Sequence, residues 1–283
     1  MKKKEIEKKY KSYIEKLKKY NLYYFNKSDP LVSDSDYDRL KRDILNLEKQ
    51  YKYLKSNDSP SILIGHRPSK NFKKFPHRVP MLSLGNAFSE EDLLNFEKKI
   101  TNFLSKEVGF EISYCAEPKI DGISASLTYV NGIFEKGLSR GDGREGEDIT
   151  KNLYTIRDIP KKILSKNFPK EIDIRGEVFI QNSDFHKFKD KFANPRNAAS
   201  GSLRQKNPED TKKIPLKFIA YTFGFEKGLK VSNQFDYLEK LSEWGFKTNP
   251  LNKLIIGVKK LIQNYDDIEK TRANLDFDID GIV

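Results

Sequence analysis

The sequence predicts an α+β protein, with a small helical domain over residues 1–70 and a larger domain over 71–283 built on antiparallel sheets. Three observations predict it. Apolar residues recur at helical spacing before residue 50, a Pro-, Ser- and Gly-rich stretch follows, and beyond residue 110 segments rich in β-branched and aromatic residues alternate with helical ones.

Ile6, Tyr10, Tyr13, Leu17 and Tyr20 lie on one face of a first helix. After the turn-forming KSDP, the stretch SDSDYDRLKRDILNLEKQY offers Ser and Asp N-caps and acidic residues in its first turn. Leu40, Ile44 and Leu47 then share one face, so two helices pack as a hairpin. Residues 56–80 have no sustained periodicity and read as a connector, with a boundary near residue 70. SEEDLLNFEKKI opens another helix through the capping-box pair Ser89 and Asp92. EISYCAEPKI and GISASLTYV read as strands, with Lys119 where one strand ends, and the Asn131-Gly132 pair favours a tight hairpin turn. EIDIRGEVFI, PLKFIAYTFGF and DFDIDGIV supply further strands, and residues 181–212 mix helix and loop. Hairpin-joined strands with helices between them argue against a doubly wound parallel sheet.

With 283 residues, 37% of them hydrophobic, the chain can bury a substantial core. A formal charge of +12 favours polyanionic partners, although any single lysine reads first as solvated helix surface. One cysteine, Cys115, excludes an intramolecular disulfide or a cysteine-rich zinc cluster within these residues. The N-terminus MKKKEIEKKYKSY lacks the apolar core of a signal peptide, and no apolar run is long enough for a bilayer. A cytoplasmic protein, acting as a monomer and away from membranes, is expected. His66, His77 and His186 have no ligand-like spacing, so no protein metal site is expected.

EPKIDGIS raises a chemical question about Lys119. A free lysine has a pKa near ~10.4, so only on the order of one molecule in a thousand is nucleophilic at neutral pH. Cations, a metal or partial burial must make up the difference. Arg140, in LSRGDGREGED, is a candidate cation, and the glycines around it would let backbone approach a phosphate closely. The same segment reads equally well as a loop with two exposed arginines.

The combination is more specific than the K-x-D-G. EPKIDGIS, LSRGDGREGEDIT, IRGEV, NPRNAASGSLRQ and FDIDGIV, in that order, resemble the adenylation region of bacterial NAD-dependent DNA ligases. HRVPMLSLGNAF and VSDSDYDRL are also similar to that family, the latter to its distinctive N-terminal domain. The resemblance implies an NMN-binding domain over 1–70 and most of an adenylation (nucleotidyltransferase) domain over 71–283. It implies Lys119 as the nucleophile that takes AMP from NAD, and Asp121 as a group that orients the lysine or its metal-bound surroundings. Glu117 would read the adenine amino group, Glu177 the ribose hydroxyls, and Arg140 would neutralise phosphate charge. Tyr221 would stack on adenine, though it reads equally as a strand core residue. Tyr24, Asp34, Ser35, Asp36, Tyr37 and Asp38 match the NMN site, where aromatic faces and carboxylates attract a cationic ring. Without the resemblance Asp34 is a cap and Tyr37 a buried helix residue. Ser83 and Leu84 match residues bordering the adenylate. Arg196, Arg204 and Arg272 match family arginines, the first two reaching phosphates; those two read otherwise as helix-surface charges.

The implied reaction seals 5′-phosphate/3′-hydroxyl nicks in duplex DNA during replication and repair, with magnesium, or manganese in its place, as the metal. Phe25 departs from the usual Tyr or His, and SPSILIG is less polar than its family counterpart around residues 61–63. The family's later phosphate-binding lysines, zinc module and DNA-binding domains are not in these residues. A fragment is therefore expected, with slow or undetectable self-adenylation and no nick sealing by these residues alone. Two alternatives are an ATP-dependent ligase or capping-type nucleotidyltransferase, and a catalytically silent nucleic-acid-binding fragment.

Overall fold

In the computed structural model, residues 3–21, 23, 32, 34–56, 59, 72–107 and 110–283 are described. Tyr24, Phe25, the KSDP turn, residues 61–63 and the expected boundary near residue 70 lie outside the described residues, as do the side chains of Asp34, Ser35 and Asp38.

The elements begin α1 (Lys3–Asn21), α2 (Asp34–Gln50), β1 (Lys74–Pro76), α3 (Glu90–Phe103), β2 (Ser113–Ala116), β3 (Pro118–Ile120), β4 (Ile123–Val130), β5 (Ile133–Ser139), β6 (Glu145–Glu147) and α4 (Thr150–Leu153). They continue β7 (Glu171–Ile180), α5 (Asn182–Phe185), α6 (Pro195–Leu203), α7 (Pro208–Lys212), β8 (Leu216–Lys227), α8 (Gln234–Glu243), β9 (Lys253–Ile256), α9 (Val258–Thr271) and β10 (Ile279–Ile282). The mixture of helices and antiparallel sheets is the expected α+β class. Among the described residues no helix is long and apolar enough to cross a membrane.

The chain divides into two compact units, residues 1–83 with 138–149 and residues 84–137 with 150–283. In the first, Ile6, Tyr10, Ile14 and Leu17 of α1 are buried with Ile44 of α2 and Leu54. Ile14 takes the central place in the stripe, and Tyr13 packs only partly against it. Glu48 is buried among these side chains, and its carboxylate accepts from Tyr10 Oη (2.7 Å) and Ser59 Oγ (2.7 Å). Those two donors offset the cost of taking the charge out of water.

The segment 138–149 joins this unit because β6 pairs antiparallel with β1, Phe75 opposite Gly146. The ladder continues irregularly, as Met81 N–H donates to Gly143 O at 2.8 Å. Asp142 Oδ1 accepts from the backbone of Arg144 (2.9 Å) and Glu145 (2.8 Å), closing the turn. LSRGDGREGED is thus an ordered hairpin.

The second unit centres on a four-stranded sheet in the order β5-β4-β7-β8, antiparallel where β4 meets β7 and where β7 meets β8. Asn131 (φ 47°) and Gly132 (φ 77°) are both left-handed, as a tight hairpin turn between β4 and β5 requires. Two-stranded ladders join β2 to β9 and β3 to β10. Ile120, Phe179, Ile219, Ile268 and Ile279 form one buried cluster in this unit. An aromatic cluster stacks Tyr129 against Phe134, Phe168 and Phe246, with Trp244 edge-on to Phe168. In α3, Ser89 Oγ accepts from Asp92 N–H (3.2 Å), while Asp92 Oδ2 accepts from Phe88 N–H (2.9 Å). The return bond of the capping box therefore lands one residue earlier than the usual pattern.

Gly176 on β7 has no room for a side chain: a Cβ there would sit 2.2 Å from Phe218 Cζ and 2.4 Å from the Ile219 carbonyl oxygen. Because one of these atoms is backbone, Gly176→Ala should lower the unfolding free energy by about 2–3 kcal/mol, read as a shift of the urea midpoint at unchanged slope.

Candidate active site

The lysine is presented by a short strand. Pro118 and Ile120 are buried and Lys119 between them is exposed, the alternation a strand imposes. Lys119 therefore lies in the middle of β3 rather than where a strand ends; β2 stops at Ala116 and Glu117 lies between the two. Pro118 O accepts from Asn249 Nδ2 (3.1 Å), and Glu117 and Val283 exchange backbone hydrogen bonds of 2.8 Å in both directions.

β10 runs antiparallel to β3 with Ile279 opposite Ile120 and Ile282 opposite Pro118. Two residues, Asp280 and Gly281, thus face the single residue Lys119. This is a bulge, and Gly281 (φ 149°) absorbs the extra residue. The Asp280 carboxylate meets Lys119 Nζ at 2.5 Å, with the lysine side chain still 45% exposed.

Gly122 of the K-x-D-G has a steric role. A Cβ there would fall 2.4 Å from Val178 O and 2.8 Å from Glu177 Cγ, so only glycine lets the start of β4 approach Glu177. Ser124 stands opposite Glu177 in the β4–β7 ladder, and its hydroxyl donates to Glu177 Oε2 at 2.9 Å. Burial pushes the Glu177 carboxyl up to about 7; Arg196, Ser124 and Lys119 oppose the rise, and Asp121 adds to it.

Asp121 forms an ion pair with Arg196, which α6 presents near its N-terminus behind the Asn194 cap. The residue expected to orient the lysine instead holds an arginine, and the carboxylate on the lysine is Asp280. Glu117 accepts from Gln234 Nε2 at 2.8 Å, and the same nitrogen donates to Tyr221 O at 2.6 Å. Burial raises the Glu117 carboxyl, with Gln234 and then Cys115 pulling it back. Burial and then Glu117 push the Cys115 thiol up to about 11, so it stays protonated as a donor.

Lys119, Asp121, Glu177 and Arg196 are thus joined by direct contact or mutual charge within the second unit, and Glu117 is tied to the Tyr221 backbone through Gln234. Arg204 donates to Ser200 Oγ (3.4 Å) on its own helix, and Arg272 is exposed in the turn after α9. Leu84, also in this unit, is exposed.

In the first unit, Arg140 Nη2 donates to Ser83 Oγ at 3.0 Å, and the His77 ring bonds Arg140 O at 3.0 Å. The Arg140 Nε–H is buried without a hydrogen-bond partner, an orphan donor suited to an anionic oxygen. Asp36 makes an exposed pair with Arg39 (3.6 Å), and Tyr37 Oη donates to Asn21 Oδ1 (2.7 Å). Sequence reasoning missed Asp280 as the lysine's partner, as well as Ser124 and Gln234. Asp280 lay inside a quoted motif, but nothing in the spacing pairs residues so far apart. Among the described residues no group of three or more His, Cys, Asp or Glu side chains is placed to hold a metal.

A lysine displayed on a strand with half-buried carboxylates and an arginine near it, in an α+β domain, is the arrangement a nucleotide-handling class of protein would use. Comparison with known proteins makes the class specific. Residues 69–283 match the NAD-dependent DNA ligase adenylation domain, and residues 3–65 match the DNA ligase-like N-terminal NAD+-binding domain. Among curated relatives, a DNA ligase of Pelagibacter ubique is 64% identical over 99% of this chain and 41% of its own length. One from Parvibaculum lavamentivorans is 44% identical over 94% of this chain and 39% of its own, and one from a Bradyrhizobium species 43% identical over 94% and 38%. The chain belongs to the NAD-dependent DNA ligase family, and it spans about two fifths of the length of these relatives.

The raised Glu177 carboxyl has a thermodynamic consequence. Its pKa is about 7 folded against an ordinary 4.5, so between those values the native state holds more protons and stability falls as pH rises. Glu177→Gln should flatten that slope in urea unfolding from pH 4 to 8, matching wild type near pH 4 and exceeding it at pH 8.

Proposed function

We propose that this chain performs the NAD-dependent adenylation that opens DNA nick sealing, with Lys119 as the nucleophile. The observation that carries the reading is the outward Lys119 held at 2.5 Å by Asp280 in a chain matched by the adenylation-domain family. NAD is consumed in this reaction and is therefore a substrate. The adenosine half suits Glu117, Glu177 and Tyr221, and the pyrophosphate suits Arg140, whose Nε–H is an orphan donor.

Lys119 Nζ attacks the α-phosphorus of NAD. An N–P bond forms, the P–O bond to the mononucleotide breaks, and its electron pair leaves on the phosphate oxygen of NMN. Nζ sheds two protons in passing from ammonium to phosphoramidate; Asp280 Oδ2 is placed to take the first and pass it to solvent. Asp121 and Arg196 hold each other in place beside the carboxylate of Glu177, which accepts from the ribose hydroxyls. Magnesium, when bound, supplies charge neutralisation on the phosphates. With no protein cage among the described residues, it would be held largely by phosphate and water, with Glu177 and Asp280 the carboxylates that would enter its shell.

Residues 1–70 would serve as the NMN-binding domain, with Tyr24, Asp34, Ser35, Asp36, Tyr37 and Asp38 as the residues proposed to recognise the nicotinamide half, and residues 71–283 as the adenylation domain. Ser83 and Leu84 border the adenylate. In the whole protein AMP passes from Lys119 to the 5′-phosphate at a nick, and the 3′-hydroxyl then displaces it. Nicked duplex DNA is the partner, met by Arg204, Arg272 and the +12 charge, and the protein acts as a monomer in the cytoplasm.

Intact-protein mass spectrometry after long incubation with NAD and magnesium, with ATP in a parallel tube, tests this. A gain of one AMP is expected with NAD only, and none in Lys119→Ala. An adduct that survives in Lys119→Ala, or that forms from ATP instead, defeats the proposal.

A further inference from the structure

Gln234 is the first residue of α8, placed there by the Asn233 cap, whose side chain accepts from Asp236 N–H at 2.9 Å. Its amide nitrogen faces two acceptors, Glu117 Oε1 at 2.8 Å and Tyr221 O at 2.6 Å, so both of its N–H groups are committed. One side chain therefore ties the strand that carries Tyr221 to the carboxylate beside Lys119, which lies 117 positions away in sequence.

We infer that Gln234 is a positioning residue that sets the base specificity of the nucleotide site, by holding Glu117 as an ionised, oriented acceptor for the adenine amino group. This rests on the reading of Glu117 as the residue that meets the base. Adenine offers an amino donor at position 6, where hypoxanthine offers a carbonyl acceptor. An ionised carboxylate accepts from the first and repels the second. A protonated carboxyl can donate to the second, so discrimination depends on which form Glu117 takes.

Three features of the site make Gln234 the deciding group. Glu117 is in a setting where burial favours the protonated form, and Gln234 is the foremost influence favouring the charged one. The thiol of Cys115 also bonds Glu117 but is a weak donor. The end of α8 that carries Gln234 is the positive end of the helix dipole, which adds to the same effect. The amide also fixes orientation: with Oε1 held by Gln234, rotation of the carboxylate would break a charge-assisted bond and leave a half-buried donor one acceptor short.

The test is calorimetric titration of AMP and IMP into the chain and its variants. Wild type should prefer AMP. Gln234→Met, nearly isosteric but without donors, should bind AMP about tenfold more weakly, with the AMP-to-IMP ratio falling by at least as much. Gln234→Glu, which sets a second carboxylate against Glu117, should lose the preference as well, and thermal melts check that both variants fold. A variant that weakens AMP and IMP equally and keeps the wild-type ratio overturns the inference, since that is what a purely structural residue would do. Glu117→Ala separates the two layers. If it abolishes the preference while Gln234→Met retains it, the inference alone fails; if Glu117→Ala keeps the preference, or wild type shows none, the reading of Glu117 fails and the inference with it.

Discussion

The site depends on one pairing between distant parts of the chain, the antiparallel contact of β3 with β10. It seats Ile120 and Ile279 in the same buried cluster, and by the bulge at Gly281 it turns Asp280 toward Lys119, 161 positions away. The entropy of closing so long a loop is met by the four-stranded sheet and the cluster beneath it, which form whatever residues stand at positions 119 and 280. The lysine is thus mounted on a hydrogen-bonded strand pair while its head stays accessible, as the proposed role requires.

A second constraint is electrostatic. Glu117 and Glu177 both sit where burial opposes their charge, and each is answered by a short list of donors: Gln234 and Cys115 for the first, Ser124 with the nearby charges of Arg196 and Lys119 for the second. Burial of this kind opposes folding, and under the proposed function a nucleotide would bring hydroxyl and amino donors to satisfy both carboxylates. Gly122 and Gly176 belong to the same economy of space: one lets β4 close on Glu177, the other lets Phe218 and β8 close on β7.

Much of this architecture was legible in the sequence. The stripe of Ile6, Tyr10 and Leu17, the Asn131-Gly132 turn and the alternating strands are local signals, set by backbone preferences and by which side chains water rejects. The order of the quoted motifs was enough to indicate the family, and Lys119, Glu117 and Glu177 were marked by it. The partner of Asp121 was not legible, because residues two apart point the same way only while extended backbone continues. The chain bends after Ile120, and Asp121 swings to Arg196 instead.

The sequence by itself determined the α+β class, the helices and strands and the family, because each rests on local periodicity, turn chemistry or contiguous motifs. Tertiary structure alone decided which carboxylate holds Lys119, which hydroxyl holds Glu177 and which amide holds Glu117. Those choices follow from strand register, from a one-residue bulge and from where a helix begins. Such features are set by packing between segments far apart in the chain, and a shift of one residue in any of them would give the site to different side chains.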